Sequence, residues 1–176
     1  MRDNLPDLSE FSHILIVEPS FRDTGRALMK ARAYWIENGW TPLAPCTHSG
    51  PCPLLEHSDR DWCHQRVHFK ASDRFLKLES HLPMKNQTLT YSYLLLSRAC
   101  QTPAWRGATR VIGDTLYEKG KVRQLICRGP EREFLSWLSR AGEPPRIPHG
   151  ALIADLGEVD VKGNERRPRA KLIWDE

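Results

Sequence analysis

The sequence predicts an α/β fold, on three observations. A short apolar run, His13-Ile14-Leu15-Ile16-Val17, is followed by residues at helical spacing and then by a second extended segment. From Pro45 to about Leu89 that periodicity gives way to Pro, Gly, His and Cys. Strand-like runs then return at residues 91–96, 109–113 and 121–127.

Taken in order, residues 13–17 read as a buried strand of the parallel-sheet type, because the run is apolar without alternation. Pro19 ends it, since proline cannot donate into a ladder. A helix follows, with Ala27, Leu28, Ala31, Trp35 and Ile36 on one face. Asp23 or Thr24 is the expected cap, and Asn38-Gly39 the stop. Residues 40–44 are extended, so strand, helix and strand make a right-handed crossover unit. Within the Pro-rich segment, Phe69, Phe75, Leu76 and Leu78 suggest one helix over 68–79. Beyond it, 109–113 and 121–127 are strands around a turn at Glu118-Lys119-Gly120, and 133–138 is a fourth. This half is expected to be antiparallel, with basic side chains on its exposed face. Weak strand character recurs at 151–156.

The composition narrows the possible functions. The chain has 176 residues, 40% hydrophobic and 27% charged, enough apolar content for a core. No apolar run reaches the roughly 18 residues a membrane span needs. The polar N-terminus has no secretion-signal core, so the chain is read as soluble, intracellular and without a membrane partner. The 26 Lys and Arg outnumber the 22 Asp and Glu by four. The excess is local: Arg98, Arg106, Arg110, Lys119, Lys121, Arg123 and Arg128 share a stretch holding only Asp114 and Glu118 as acids up to residue 128. Arg110, Lys121 and Arg123, in predicted strands, could meet phosphates, which Lys and Arg bind with little sequence reading; charge alone sets this even with a solvated face, and the resemblance given below favours RNA. An ordinary solvated face is the alternative. Trp105 and Trp137 are candidates for base stacking, though core packing is the commoner use.

The cysteines carry the chemistry. Cys46, Cys52 and Cys63 fall in one segment, framed by Pro45, Gly50, Pro51, Pro53, His48 and His64. A segment this poor in periodicity needs something besides apolar burial to order it, and a bound metal or cluster would serve. The Cys-x5-Cys-x10-Cys spacing is neither the paired Cys-x2-Cys of most structural zinc sites nor a ferredoxin pattern. A fourth ligand is required. Cys127, at the end of a predicted strand, is the first choice and Cys100 the second, with His48 and His64 as nitrogen alternatives. Free buried cysteines and a Cys63–His64 nucleophile pair are the competing readings.

The residues Ile16-Val17-Glu18-Pro19, Asp23-Thr24-Gly25-Arg26, Ala44-Pro45-Cys46-Thr47-His48, Pro51-Cys52-Pro53-Leu54 and Asp61-Trp62-Cys63-His64 resemble one family. It is the methyltransferase-like ribosomal small-subunit assembly proteins of mitochondria and bacteria. Tyr91-Ser92-Tyr93-Leu94, Arg110-Val111-Ile112-Gly113 and Leu125-Ile126-Cys127 continue the match. The resemblance implies a class I methyltransferase-like, Rossmann-like fold and a four-cysteine iron–sulfur site in its C-terminal half. By position, Cys46, Cys52, Cys63 and Cys127 take the ligand places, probable 4Fe-4S chemistry being read from the family and zinc kept as the alternative. Where family members carry Gly after Glu-Pro, this chain has Ser20.

The parts then read as a partial methyltransferase-like α/β unit over 1–44 and a Cys/His/Pro-rich cluster-binding segment over 45–90. A basic antiparallel β segment covers 91–142, and a Pro/Gly-spaced basic tail 143–176. No Gly-x-Gly-x-x-Gly loop occurs, and such a turn is what lets backbone approach a nucleotide-like cofactor. The chain is therefore expected to be the C-terminal half of such a protein and not to bind S-adenosylmethionine alone. The implied function is ribosome assembly or translation through the small subunit and its RNA, in bacterial cytoplasm or the mitochondrial matrix. rRNA methyltransfer is the alternative, should a partner chain supply the N-terminal half.

Overall fold

A computed structural model describes residues 10–83, 88–99, 103 and 105–175. Cys100 lies outside the described residues. The elements in chain order are β1 (His13–Pro19), α1 (Arg22–Glu37), β2 (Thr41–Ala44), α2 (Pro53–Glu56), β3 (Gln65–His68), α3 (Asp73–Glu79) and β4 (Thr88–Ser97). There follow β5 (Thr109–Val111), β6 (Leu116–Glu118), β7 (Lys121–Cys127), β8 (Glu133–Leu138), β9 (Leu152–Ile153), β10 (Val159–Lys162) and β11 (Glu165–Pro168). The fold is α/β with mixed sheets. No helix among the described residues is long and apolar enough to cross a membrane.

The first sheet is built around β4, which pairs antiparallel with β1 on one edge and with β2 and β3 on the other. β1 and β2 thus run parallel to each other, joined by α1 as the crossover reading requires, but with β4 between them. This corrects the expectation of a buried parallel strand at 13–17. β1 is an edge strand whose residues alternate between exposed and half-buried. Ile14 and Ile16 face α1, whereas Leu15 and Val17 are 62% and 56% exposed.

Helix α1 is capped at Phe21, two residues before Asp23 and three before Thr24, with no side-chain cap. Thr24 Oγ1 instead donates back to the carbonyls of Pro19 and Phe21, at 2.8 and 3.1 Å. The stop is as read: Asn38 caps the helix and Gly39 takes φ +82°, a conformation favouring glycine. Leu28 and Trp35 bury against Trp40, Leu94 and Leu96 to form the core beneath this sheet. The expected helix over 68–79 is shorter, because residues 65–68 join β4 as β3.

The second sheet runs β10-β11-β8-β7-β5-β9, with β6 also on β7. The pairing of 109–111 with 121–127 and the strand at 133–138 agree with the sequence reading, whereas the short strand β6 before the turn adds to it. One pairing does not: β11 joins β8 in parallel. One face buries Val111, Ile126 and Leu135 under Ile147, Ile153 and Leu172. The other sets Ile112, Leu125 and Phe134 against Met29 of α1 and Leu54 of α2. That second face, turned toward the Cys-bearing loops, positions the site described below.

Two buried carboxylates fasten the C-terminal hairpin. Glu133 meets Arg128 and Arg166, and Glu165 meets Lys121 and Arg167. The Lys121 hydrogen bond, foremost, together with Arg167 draws Glu165 down to about 2. A depressed carboxylate contributes stability above its ordinary range and loses it as the proton binds. Stability should therefore fall between about pH 4.5 and pH 2, and Glu165→Gln should flatten that limb in acid melting curves. An unchanged acid limb would refute the assignment.

Candidate metal centre

The site lies where the first sheet and α1 meet the second sheet, and its cysteines arrive from four places. Cys46 follows β2, Cys52 caps α2, Cys63 precedes β3 and Cys127 ends β7. All four line one cavity, with Arg32, His48, Tyr93, Leu94 and Ile112. Pro53 at the first position of α2 explains its start, since proline lacks the amide a helix N-terminus leaves unpaired.

Helix α1 holds the loops that present these thiols. Arg26 Nη1 donates to the carbonyls of Ser58 and Asp61, both at 2.8 Å. Arg32 donates from Nη2 to His48 O at 2.6 Å, from Nη1 to Gly50 O at 3.0 Å, and from Nε to Cys46 Sγ at 3.0 Å. The amide of Cys63 donates to Met29 Sδ at 3.2 Å, and Ser92 Oγ donates to the Cys63 carbonyl at 2.8 Å. A Cβ on Gly25 would stand 2.6 Å from Trp62 Cδ1, so only glycine lets that ring lie against the helix. The Trp62 indole donates to Ser20 Oγ at 3.0 Å, which gives the departure at residue 20 a use.

Enclosure sets the electrostatics. Burial pushes the Cys63 and Cys127 thiols well up, and the neighbouring cysteines add to the rise. Burial raises Cys52 as well. Thiols shifted this way are poor nucleophiles, because the thiolate is the reactive form. His64 does not face Cys63: its Nδ1 lies 3.2 Å from Trp62 O and its ring 5.1 Å from that of His149. The adjacent Cys63–His64 pair is therefore not a nucleophile–base pair. Burial, then Arg32 and Arg106, lower His48 to about 4, so it is neutral at pH 7. Its Nε2 lies 3.4 Å from Cys127 Sγ.

Four sulfurs with a neutral imidazole nearby form a donor set of the soft type that zinc and iron–sulfur clusters use, with the Arg32 guanidinium beside it as a positive charge. Among the described residues, no group of three or more His, Cys, Asp or Glu is arranged to grip a single ion. All four thiols line the same cavity.

The expected RNA contacts are placed differently from the sequence reading. Lys121 pairs with Glu165 and Glu118, and Arg123 pairs with Glu118 at 2.6 Å and lies 4.4 Å over the Phe134 ring. Arg110 donates to Gly150 O at 2.7 Å. None of the three stands free on a solvated face. The Trp105 indole donates to Leu43 O at 2.6 Å, and Trp137 packs against the core.

Sequence reasoning missed Arg26, Arg32, Met29 and Tyr93. Arg32 had a signal: it falls within the Leu28, Met29 and Trp35 face of α1, where helical period calls for an apolar residue. Gly25 in a helix interior was another.

The family model described as mitochondrial small ribosomal subunit Rsm22 matches residues 4–137, more than half of the chain. No curated protein matches the sequence.

Proposed function

This chain belongs to the Rsm22 family of the mitochondrial small ribosomal subunit, and from that premise we propose an assembly or translation factor of the small subunit that holds an iron–sulfur cluster. Cys46, Cys52, Cys63 and Cys127 are its ligands, and the small subunit with its RNA is its partner. In a eukaryote its place is the mitochondrial matrix. One observation carries the cluster reading: three cysteines of the Pro-rich segment and Cys127 of β7 line a single cavity. The bound group would supply metal–thiolate bonds tying the Cys-rich segment to β7. Anaerobically purified chain should show broad visible absorption that bleaches on reduction, with about four iron and four sulfide per chain. Zinc in stoichiometric amount with no sulfide would replace this reading by the zinc alternative, and neither metal would overturn both.

The RNA contact is tested separately. Because Lys121 and Arg123 are committed to carboxylates, replacing both with Ala should act first on stability. Glu165, only 6% exposed, loses its lysine but keeps Arg167, so the cost should stay below about 3–5 kcal/mol, that of leaving a buried charge unpaired. The salt slope of binding to a small-subunit RNA helix should change by less than one phosphate equivalent, about 0.9. A slope flattened by about two such equivalents would return these residues to the interface. Lys119, exposed at the β6–β7 turn, remains available to phosphate.

A specific feature favours a second component. The outer edge of β1 has no strand partner among the described residues, and Leu15, Val17 and Phe21 beside it are 56–68% exposed. An open apolar edge is a template for another strand. In this reading a methyltransferase-like half, bearing the Gly-rich loop absent here, pairs with β1. Leu15→Lys with Val17→Lys should abolish co-purification with such a half and leave the iron content unchanged.

A further inference from the structure

We infer that Arg32 and Arg110 are the fixed counter-charges of the four-thiol site, and that Arg32 tunes the electron affinity of the group held there. The inference rests on the cluster reading proposed above. Arg32 is 3% exposed, yet no carboxylate pairs with it among the described residues. A buried cation without an anion is costly, so such groups are found paired. Its guanidinium meets two carbonyls and one sulfur, and of these only Cys46 Sγ can carry a negative charge.

Arg110 makes the same case from the opposite side. It sits in β5 directly across from Cys127 of β7. One nitrogen is used on Gly150 O, while Nε is buried and has no partner. It too has no carboxylate partner among the described residues. The two charges stand by different thiols: Arg32 donates to Cys46 Sγ, and Arg110 is the cross-strand neighbour of Cys127. Arg32 lines the cavity from the helix, and Arg110 stands beside its Cys127 edge on the second sheet.

The charge count agrees. Four thiolates around a doubly positive core leave two negative charges, and two guanidinium groups match them. An added electron gives a third negative charge, which the nearby cation and the N–H donor to Cys46 favour. Loss of Arg32 should therefore make the group harder to reduce.

The test uses the full chain purified anaerobically, as wild type, Arg32→Gln, Arg32→Lys and Arg110→Gln. Iron and sulfide content, reduction midpoint and melting of the chelated protein are read for each. Arg32→Gln should lower the midpoint by a tenfold shift in the oxidised-to-reduced ratio, 59 mV for one electron. Arg110→Gln should shift it in the same direction. Arg32→Lys keeps the charge but not the fork of bonds to His48 and Gly50, so its midpoint should stay near wild type. A loaded Arg32→Gln protein with an unmoved midpoint overturns the inference, whatever its melting temperature. A Lys variant shifted as far as the Gln variant would assign the effect to loop geometry and overturn it equally. Should Arg32→Gln not fold, an unmoved Arg110→Gln midpoint does so. A wild-type chain that takes up no metal overturns this inference together with the cluster reading.

Discussion

Cys127→Ala should lose at least nine tenths of the iron and sulfide that the wild-type chain retains, and with them most of the stabilisation that a chelator can remove. The reason is placement. Cys46, Cys52 and Cys63 belong to one segment, whereas Cys127 ends β7 of the other sheet. In the proposed cluster reading it is the ligand that would make a bound group a tie between sheets. Packing alone predicts a small effect, since trading a thiol for a methyl removes one heavy atom, about 1 kcal/mol by analogy with a buried methylene. Metal-linked folding is larger, about 10–16 kcal/mol for structural zinc peptides. Melting with and without chelator separates the two. A variant that melts like wild type in both conditions, with its iron intact, would remove Cys127 from the ligand set.

Phe134→Ala should be the most destabilising change outside the thiols. Phe134 is 2% exposed and packs with Met29, Leu54, Ile112 and Leu125 on the face that supports the site. Truncating a buried Phe costs about 3–5 kcal/mol. Its ring also lies beneath two guanidinium groups, Arg123 at 4.4 Å and Arg132 at 4.8 Å, each contact adding about 0.5–1 kcal/mol. Against a typical total of about 5–15 kcal/mol, the melting temperature should drop by about 10 °C or more. Phe134→Leu should cost markedly less, keeping most of the volume but not the ring face. A loss below about 1 kcal/mol for the Ala variant would contradict this packing.

Local signals in the chain were legible where local chemistry decides. The helix over α1, its stop at Asn38-Gly39 and the β6–β7 turn follow from spacing and from glycine's freedom at positive φ. The four thiols read as ligands from the sequence line one cavity in the fold. What was misread depends on partners distant in sequence. The run at 13–17 looks buried because its residues are apolar, but neither periodicity nor composition can say that β4 pairs with one edge and leaves the other open. Lys121 and Arg123 look like a solvated face because their carboxylates, Glu165 and Glu118, are chosen by strand register and by a C-terminal hairpin. Arg32 looks like a surface cation until the loop it grips is folded against it.

The position of β4 also fixes a sequence in time. His13 and Thr41 share Ser97 as their opposite residue, so neither β1 nor β2 has a strand neighbour until the chain has been synthesised that far. Contacts this remote close slowly, because a long loop must be ordered before the pairing rewards it. The segment bearing Cys46, Cys52 and Cys63 lies within that loop and is complete before β4 exists. On a ribosome adding about 5–20 residues per second, these three thiols are therefore made several seconds before Cys127, the last to arrive. If the chain takes up a metal or cluster as proposed, three of its ligands are therefore made before the sheet and the fourth ligand that would complete the site.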